Sequence, residues 1–212
     1  MKKIFLAPLV LFSAIASAFA GSLIESQSWP QWRGPTRDGV IHGPEWPASF
    51  GPNRLKQTWR KELAPGYSSP IVAEGRVFTV ETKDRKYEIV RAFDRVTGEQ
   101  VWEAQWEGAM NVPFFAKSNG SWARCTPAYS DGRLYVGGMR DVLVCLDAAT
   151  GKRIWLVDFV KRAKTPLPNF GFVSSPLALG DHVYVQAGGA FVKLEKETGR
   201  TVWRSMSDGG GM

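Results

Sequence analysis

Cysteine and histidine are nearly missing from this 212-residue chain: Cys125 and Cys145, His42 and His182 are the full complement. So few cysteines exclude a disulfide-stapled scaffold. Neither they nor the widely separated histidines have the spacing of a metal-ligand set, so no metal site is expected. A sustained 3.6-residue apolar period is also missing, which excludes a helical bundle. No apolar run is long enough to span a bilayer comfortably. The longest, Ile4 to Ile15, follows Lys2 and Lys3 and precedes Ala18-Phe19-Ala20, the small-x-small pattern at which signal peptides are cut. Residues 1–20 therefore read as a signal peptide and residues 21–53 as a leader. The mature chain is expected to be exported to the periplasm or the exterior, without a transmembrane helix. No cysteine follows the cleavage point, which argues against a lipid anchor. Charge is only modestly one-sided, with 27 Lys and Arg against 20 Asp and Glu and a net charge of +7. That balance suits acidic partners such as polyanionic glycans, anionic lipid or cell-wall material, while export argues against nucleic acid.

What the chain has in abundance is repetition. "VTGEQVW" (96–102), "ATGKRIW" (149–155) and "ETGRTVW" (197–203) place Thr-Gly, three residues and a tryptophan three times over. Eight positions before Trp102, Trp155 and Trp203 stand Asp94, Asp147 and Glu195. Earlier in each unit comes a proline, in "SSP" (68–70), "CTP" (125–127) and "SSP" (174–176). Seven residues beyond each proline is an aliphatic–aromatic pair, Val77-Phe78, Leu134-Tyr135 and Val183-Tyr184. Between these landmarks run short β-branched and aromatic stretches such as "RVFTVET", "RLYVGGM" and "HVYVQA". With a short strand at each proline, where the missing N–H costs no ladder bond, every unit has four strands. Four short antiparallel strands repeated at this period predict an all-β fold, a β-propeller built from four-stranded blades. Gly98, Gly151 and Gly199 fall in the hairpin between the third and fourth strands, where a glycine takes positive φ. Each tryptophan then anchors the outer strand.

The segments "AFDRVTGEQVW", "CLDAATGKRIW" and "KLEKETGRTVW" resemble the tryptophan-docking motif of quinoprotein-type propellers, A-x-D-x-x-T-G-x-x-x-W. Cys145 and Lys193 stand in for the alanine, and Glu195 for the aspartate. The resemblance is to PQQ-like repeats, and the Trp-Asp dipeptide of WD40 repeats is absent. It implies that each indole packs on the backbone of the next blade. On this reading, residues 54–212 form a partial PQQ-like propeller with blades at about 68–106, 124–160 and 174–207, three complete blades in an unclosed ring. "LKQTWRKEL" (55–63), with Trp59, reads as a leading outer strand. The chain is expected to be the front part of a longer propeller, with mutual completion of chains in an oligomer as the alternative. The leader "WPQWRGPTRDG", with Trp29, Trp32 and Arg33, resembles leaders of secreted bacterial propellers and is expected to dock on the propeller. A sugar-stacking platform is the alternative there.

Two long connections on one face, 107–124 and 160–173, bring together Phe114, Phe115, Trp122, Phe170 and Phe172 with Lys117, Arg124, Lys161 and Arg162. Aromatic and basic groups around a channel mouth suit a planar or anionic ligand. Candidate mouth positions are Tyr67, Ser68, Arg124, Thr126, Ser174, Phe114, Trp122 and Phe170. Cys125 and Cys145 fall two strands apart, about 9–10 Å, beyond the ~7 Å reach of a disulfide, so free packed thiols are expected. The resemblance to quinoproteins implies PQQ with calcium and an acidic base, as in alcohol or sugar oxidation. The vicinal cysteine pair of those enzymes is missing, the repeated acids belong to hairpins, and no nucleophile–base–orienter set is present. The expected role is therefore non-catalytic: an exported binding or scaffolding propeller that meets a protein or glycan at one face. The propeller subunit of the outer-membrane protein assembly machinery shares this repeat. A PQQ-dependent dehydrogenase portion and a glycan-binding module are the alternatives.

Overall fold

The computed structural model describes residues 28–41, 48–49, 51 and 56–206. The expected signal peptide, about half of the leader and the terminal glycine run lie outside the described residues. Twelve strands form three separate four-stranded antiparallel sheets, each in simple sequential order. The first blade holds β1 (Ile71–Ala73), β2 (Arg76–Lys83), β3 (Tyr87–Asp94) and β4 (Gln100–Glu107). The second holds β5 (Ala128–Ser130), β6 (Arg133–Gly138), β7 (Val142–Asp147) and β8 (Arg153–Asp158). The third holds β9 (Leu177–Leu179), β10 (His182–Ala187), β11 (Ala190–Glu195) and β12 (Thr201–Ser205). The only helical pieces among the described residues are a 3₁₀ turn, Phe114–Asn119, and α1, Phe159–Ala163, both in the connections between blades. This is the all-β propeller architecture expected from the repeat, as an unclosed set of blades.

The Thr-Gly hairpins explain themselves locally. Asp94 accepts from the backbone N–H groups of Val96 and Thr97 at 2.9 and 2.8 Å, and Asp147 accepts from the Thr150 N–H and hydroxyl at 2.8 and 2.7 Å. The third copy uses a longer acid: Glu195 accepts from the Thr198 hydroxyl at 2.8 Å and pairs with Arg200. These bonds to the ionised form hold all three carboxyls below the usual carboxylate range. Each ladder then slips by one residue at a bulge, between Ala92 and Phe93, Cys145 and Leu146, and Lys193 and Leu194. The slip sets each tryptophan opposite the first residue of its motif: Trp102 faces Ala92, Trp155 faces Cys145, and Trp203 faces Lys193.

Apolar residues gather between the sheets. Ile71, Phe78, Val90 and Trp102 of the first blade pack with Leu134, Val136 and Val144 of the second. The other side of the second blade, with Tyr135, Leu143 and Cys145, packs on Val183, Val185, Val192 and Leu194 of the third. Both cysteines are buried and unbonded, and burial pushes both thiols up to about 12, so neither is a nucleophile at neutral pH.

The indoles complete these interfaces in one repeated geometry. Trp102 donates from Nε1 to the Ala148 carbonyl at 3.0 Å, and Trp155 to the Lys196 carbonyl at 2.9 Å. The rings lie flat on the hairpin glycines, so that a Cβ at Gly151 would sit 2.6 Å from Trp102 and one at Gly199 2.8 Å from Trp155. Trp59 does the same to the first blade, bonding Arg95 O at 2.9 Å and lying 2.6 Å from a Cβ at Gly98. Its segment, 56–63, pairs with no strand, so the expected outer strand is present as its docking indole without a ladder. Trp203 has no following blade to cover it among the described residues. It stays 38% exposed beside Tyr184 and Phe191.

The glycine geometry supports a direct comparison. Gly151 and Gly75 both have positive φ, 73° and 67°, but a Cβ at Gly75 meets nothing within 4 Å. Gly75→Ala is expected to cost about 1 kcal/mol for its backbone conformation alone. Gly151→Ala adds the clash with the docked indole and is expected to cost about 2 kcal/mol or more. Urea unfolding of the two variants checks this; equal losses would mean that the close approach has no energetic consequence.

Candidate binding face

The two long connections are seated by their own main chain. In the first, Ala123 donates to the Thr82 hydroxyl at 2.8 Å and its carbonyl accepts from the Tyr67 N–H at 2.8 Å. In the second, Asp158 caps α1 by accepting from Lys161 N at 3.0 Å. Phe159 and Phe172 are buried against the second blade, and the Phe172 ring fills the space of a side chain at Gly137, 2.3 Å from its would-be Cβ. Phe172, grouped in the sequence with the ligand aromatics, is thus part of the core.

Between these anchors the connections meet in a chain of rings. The Arg124 guanidinium lies over Tyr67 at 5.0 Å and over Phe170 at 5.8 Å. Phe170 meets Phe115 edge-on at 6.4 Å, and Phe115 meets Phe114 edge-on at 5.7 Å. The inner end is structured and the outer end faces solvent, with Phe115 at 68% and Phe114 at 83% exposure. Four expected mouth positions are therefore linked: Tyr67, Arg124 and Phe170 directly, and Phe114 through Phe115. Trp122 makes no ring contact with them and lines a separate concavity beside the 3₁₀ turn.

The hydroxyl positions are occupied by protein contacts. Ser68 donates to the Ser69 carbonyl at 3.2 Å, and buried Thr126 accepts from Ser69 N at 3.2 Å, tying the first blade to the second. Ser174 exchanges hydrogen bonds with the main chain of Gln186 at 3.1 and 3.2 Å. The inner strand edges are used as well. Trp29 pairs with Val72 through two backbone bonds of 2.7 and 2.9 Å, Tyr129 N donates to Pro30 O at 2.7 Å, and Arg37 reaches Pro176 O at 3.3 Å. The leader thus runs from the first blade past the second to the third, satisfying edges that would otherwise be bare. Of its described indoles, the Trp29 ring covers Gly34, and Trp32 lies beneath Arg33 and Arg37.

Three buried carboxylates carry no local signal in the sequence. One, Glu81, accepts from Ala64 N, the Thr79 hydroxyl and Arg91, and the other two hold blade to blade. Glu88, fully buried, accepts from Met139 N at 2.6 Å and from Trp106 Nε1 at 2.7 Å. Asp141, also buried, accepts from Gly188 N at 2.8 Å. Each holds the β2–β3-type turn of the next blade. Burial raises both carboxyls, Glu88 to about 7. They occupy one repeat position, six residues before Asp94 and Asp147, where the third copy has Gly189. Superposing the repeats residue by residue would have found them.

A family model described as outer membrane protein assembly factor BamB, PQQ_2, matches residues 52–115 and 86–212. The chain belongs to this family. Within curated proteins, BamB of Shewanella oneidensis is 26% identical over 136 residues, covering 64% of this chain and 31% of that protein. The quinohemoprotein alcohol dehydrogenase of Comamonas testosteroni is 26% identical over 152 residues, covering 66% of this chain and 20% of that protein. The chain thus spans from a fifth to about a third of the length of these relatives. In solved structures, quinohemoprotein alcohol dehydrogenase ADHIIG of Pseudomonas putida HK5 superposes with a TM-score of 0.51 at 23% identity, over 69% of this chain and 21% of that one. That likeness is one of fold.

Two of these relatives are quinohemoprotein alcohol dehydrogenases, which raises the question of PQQ and calcium for this chain. No group of three or more His, Cys, Asp or Glu able to hold a metal occurs among the described residues. Ser68, Thr126, Ser174 and the β1 and β5 edges are engaged with protein groups, and the docking acids are consumed in hairpins. The residues described here do not fit that cofactor.

Proposed function

We propose that this member of the PQQ_2 family is an exported, non-catalytic propeller that binds a protein partner through its insertion-bearing face. The observation that carries this reading is the ring chain from Tyr67 and Arg124 through Phe170 to Phe115 and Phe114. Its base is fixed by packing, while its tip exposes adjacent phenylalanines, a combination that monomeric surfaces avoid outside contact sites. Aromatic anchors of this kind dominate protein interfaces. Similarity to the outer membrane protein assembly factor BamB supports a scaffolding role and a periplasmic location. No described helix is long and apolar enough to cross a membrane.

A photo-crosslinking residue at position 114 of the full chain tests this in the producing cells. A discrete adduct is expected from position 114, weakened when Phe115 and Phe170 are alanine, and absent from a control position at Arg153 on β8. Equal adducts from both positions, or none from 114, would overturn the reading. So would dye reduction on addition of PQQ and calcium, which would instead place the chain with the alcohol dehydrogenases.

A further inference from the structure

The concavity beside Trp122 is built from a turn and an insertion that fold onto one another. Gly108 and Ala109 both donate to the Lys86 carbonyl, at 3.1 and 3.2 Å, pinning the start of the insertion to the β2–β3 turn. The insertion then closes on itself through the bond from Val112 N to Ser121 Oγ, 3.1 Å, and through the 3₁₀ turn, where Gly120 N donates to Lys117 O. The space enclosed is about 460 Å³, within the range of small-ligand sites. Arg85 reaches it from the turn; Asn111, Lys117, Asn119 and Trp122 reach it from the insertion.

The chemistry of this lining is one-sided. It has two cations and two primary amides and no carboxylate, and among the described residues these four side chains make no hydrogen bond or ion pair. The indole forms a wall because Gly120, at φ 80°, has no side chain; a Cβ there would fall 2.0 Å from Trp122 Nε1. A flat apolar wall suits the apolar face of a sugar ring, amides suit its hydroxyls, and Arg and Lys without carboxylate competitors suit an anionic substituent. We propose that this concavity is a binding site for a carboxylated or sulfated sugar. It is independent of the phenylalanine tip assigned above to a protein partner.

Isothermal titration of the full chain, with uronic-acid and sulfated oligosaccharides in separate arms, tests the site. Acidic oligosaccharides are expected to bind about tenfold more tightly than a neutral one of equal length, and Trp122→Ala to weaken them by about tenfold. Trp122→Phe should recover part of that loss, and the double variant Arg85→Gln, Lys117→Gln should abolish the preference for charged over neutral sugar. Arg153→Gln, at an exposed cation on β8 outside both sites, should leave binding unchanged. The crosslink from position 114 reads the protein-partner site separately, so failure here is distinguishable from failure of that reading. Binding that survives Trp122→Ala unchanged, that inorganic sulfate or ATP matches, or that does not occur with either acidic sugar overturns the proposal.

Discussion

Trp102→Ala is expected to destabilise the protein by about 3–5 kcal/mol, the range for removing a large buried aromatic side chain, and to lower Tm by about 10 °C. Trp102 is 8% exposed, touches Phe78 at a ring separation of 5.8 Å and covers Gly151 of the next blade. The loss is a packing loss above all. The Ala148 carbonyl that accepts from the indole also accepts from Arg76 at 2.6 Å, so it is not stranded when the indole goes. Trp102→Phe, which keeps a ring and gives up the N–H, is therefore expected to cost far less than the alanine variant.

The same substitution at the third copy is the internal control. Trp203 has the same motif and the same place on its strand but is 38% exposed, with no hairpin glycine beneath it. Trp203→Ala is expected to cost about 1–2 kcal/mol, less than Trp102→Ala, because part of the ring is already in water. Urea unfolding of both variants decides the matter: equal losses would show that the indoles act within their own sheets and not between blades.

The contrast also marks what could be read from the sequence. The hairpins were legible because their causes are adjacent in the chain: Asp94 bonds Val96 and Thr97, and Gly98 relieves the turn that follows. Thr-Gly and the tryptophan spacing therefore carried strand number, bulge position and blade order. Groups whose partners lie on another blade were not legible. Glu88 reads as one more polar residue in a strand, because its partner Met139 is 51 positions away. The leader reads as a stiff extended segment, but its path along the inner edges follows from ladder groups of β1 and β5 that only the folded sheets leave open. Arg85 and Lys117 face one space only because the insertion is pinned at Lys86, which no spacing in the sequence encodes. Trp122 was grouped with the phenylalanines by proximity in the chain, yet the 3₁₀ turn separates them.

Glu88 makes the protein less stable as pH rises from about 4.5 to about 7. Its carboxyl sits at about 7 in the folded state, against an ordinary value of 4.5, because burial outweighs the bonds from Met139 and Trp106. A folded pKa above the unfolded one favours the protonated form in the native state. The stabilisation is complete below about 4.5, is lost as pH climbs through about 7, and stays lost above it. The gap amounts to about 3 kcal/mol, though it is an upper figure if the site relaxes. The hairpin carboxyls of Asp94, Asp147 and Glu195 act in the opposite sense: their lowered values withdraw stability when pH falls below the usual carboxylate range. Stability should therefore peak in mildly acid solution and fall on both sides. Glu88→Gln imitates the neutral acid, keeping one acceptor for the two N–H donors and carrying no charge. It is expected to flatten most of the alkaline limb, leaving a residual slope from Asp141, and to leave the acid limb in place. Unfolding free energies of wild type and Glu88→Gln measured from about pH 2 to pH 8 check this, and a difference between the two that does not change with pH would show that the buried carboxyl titrates normally.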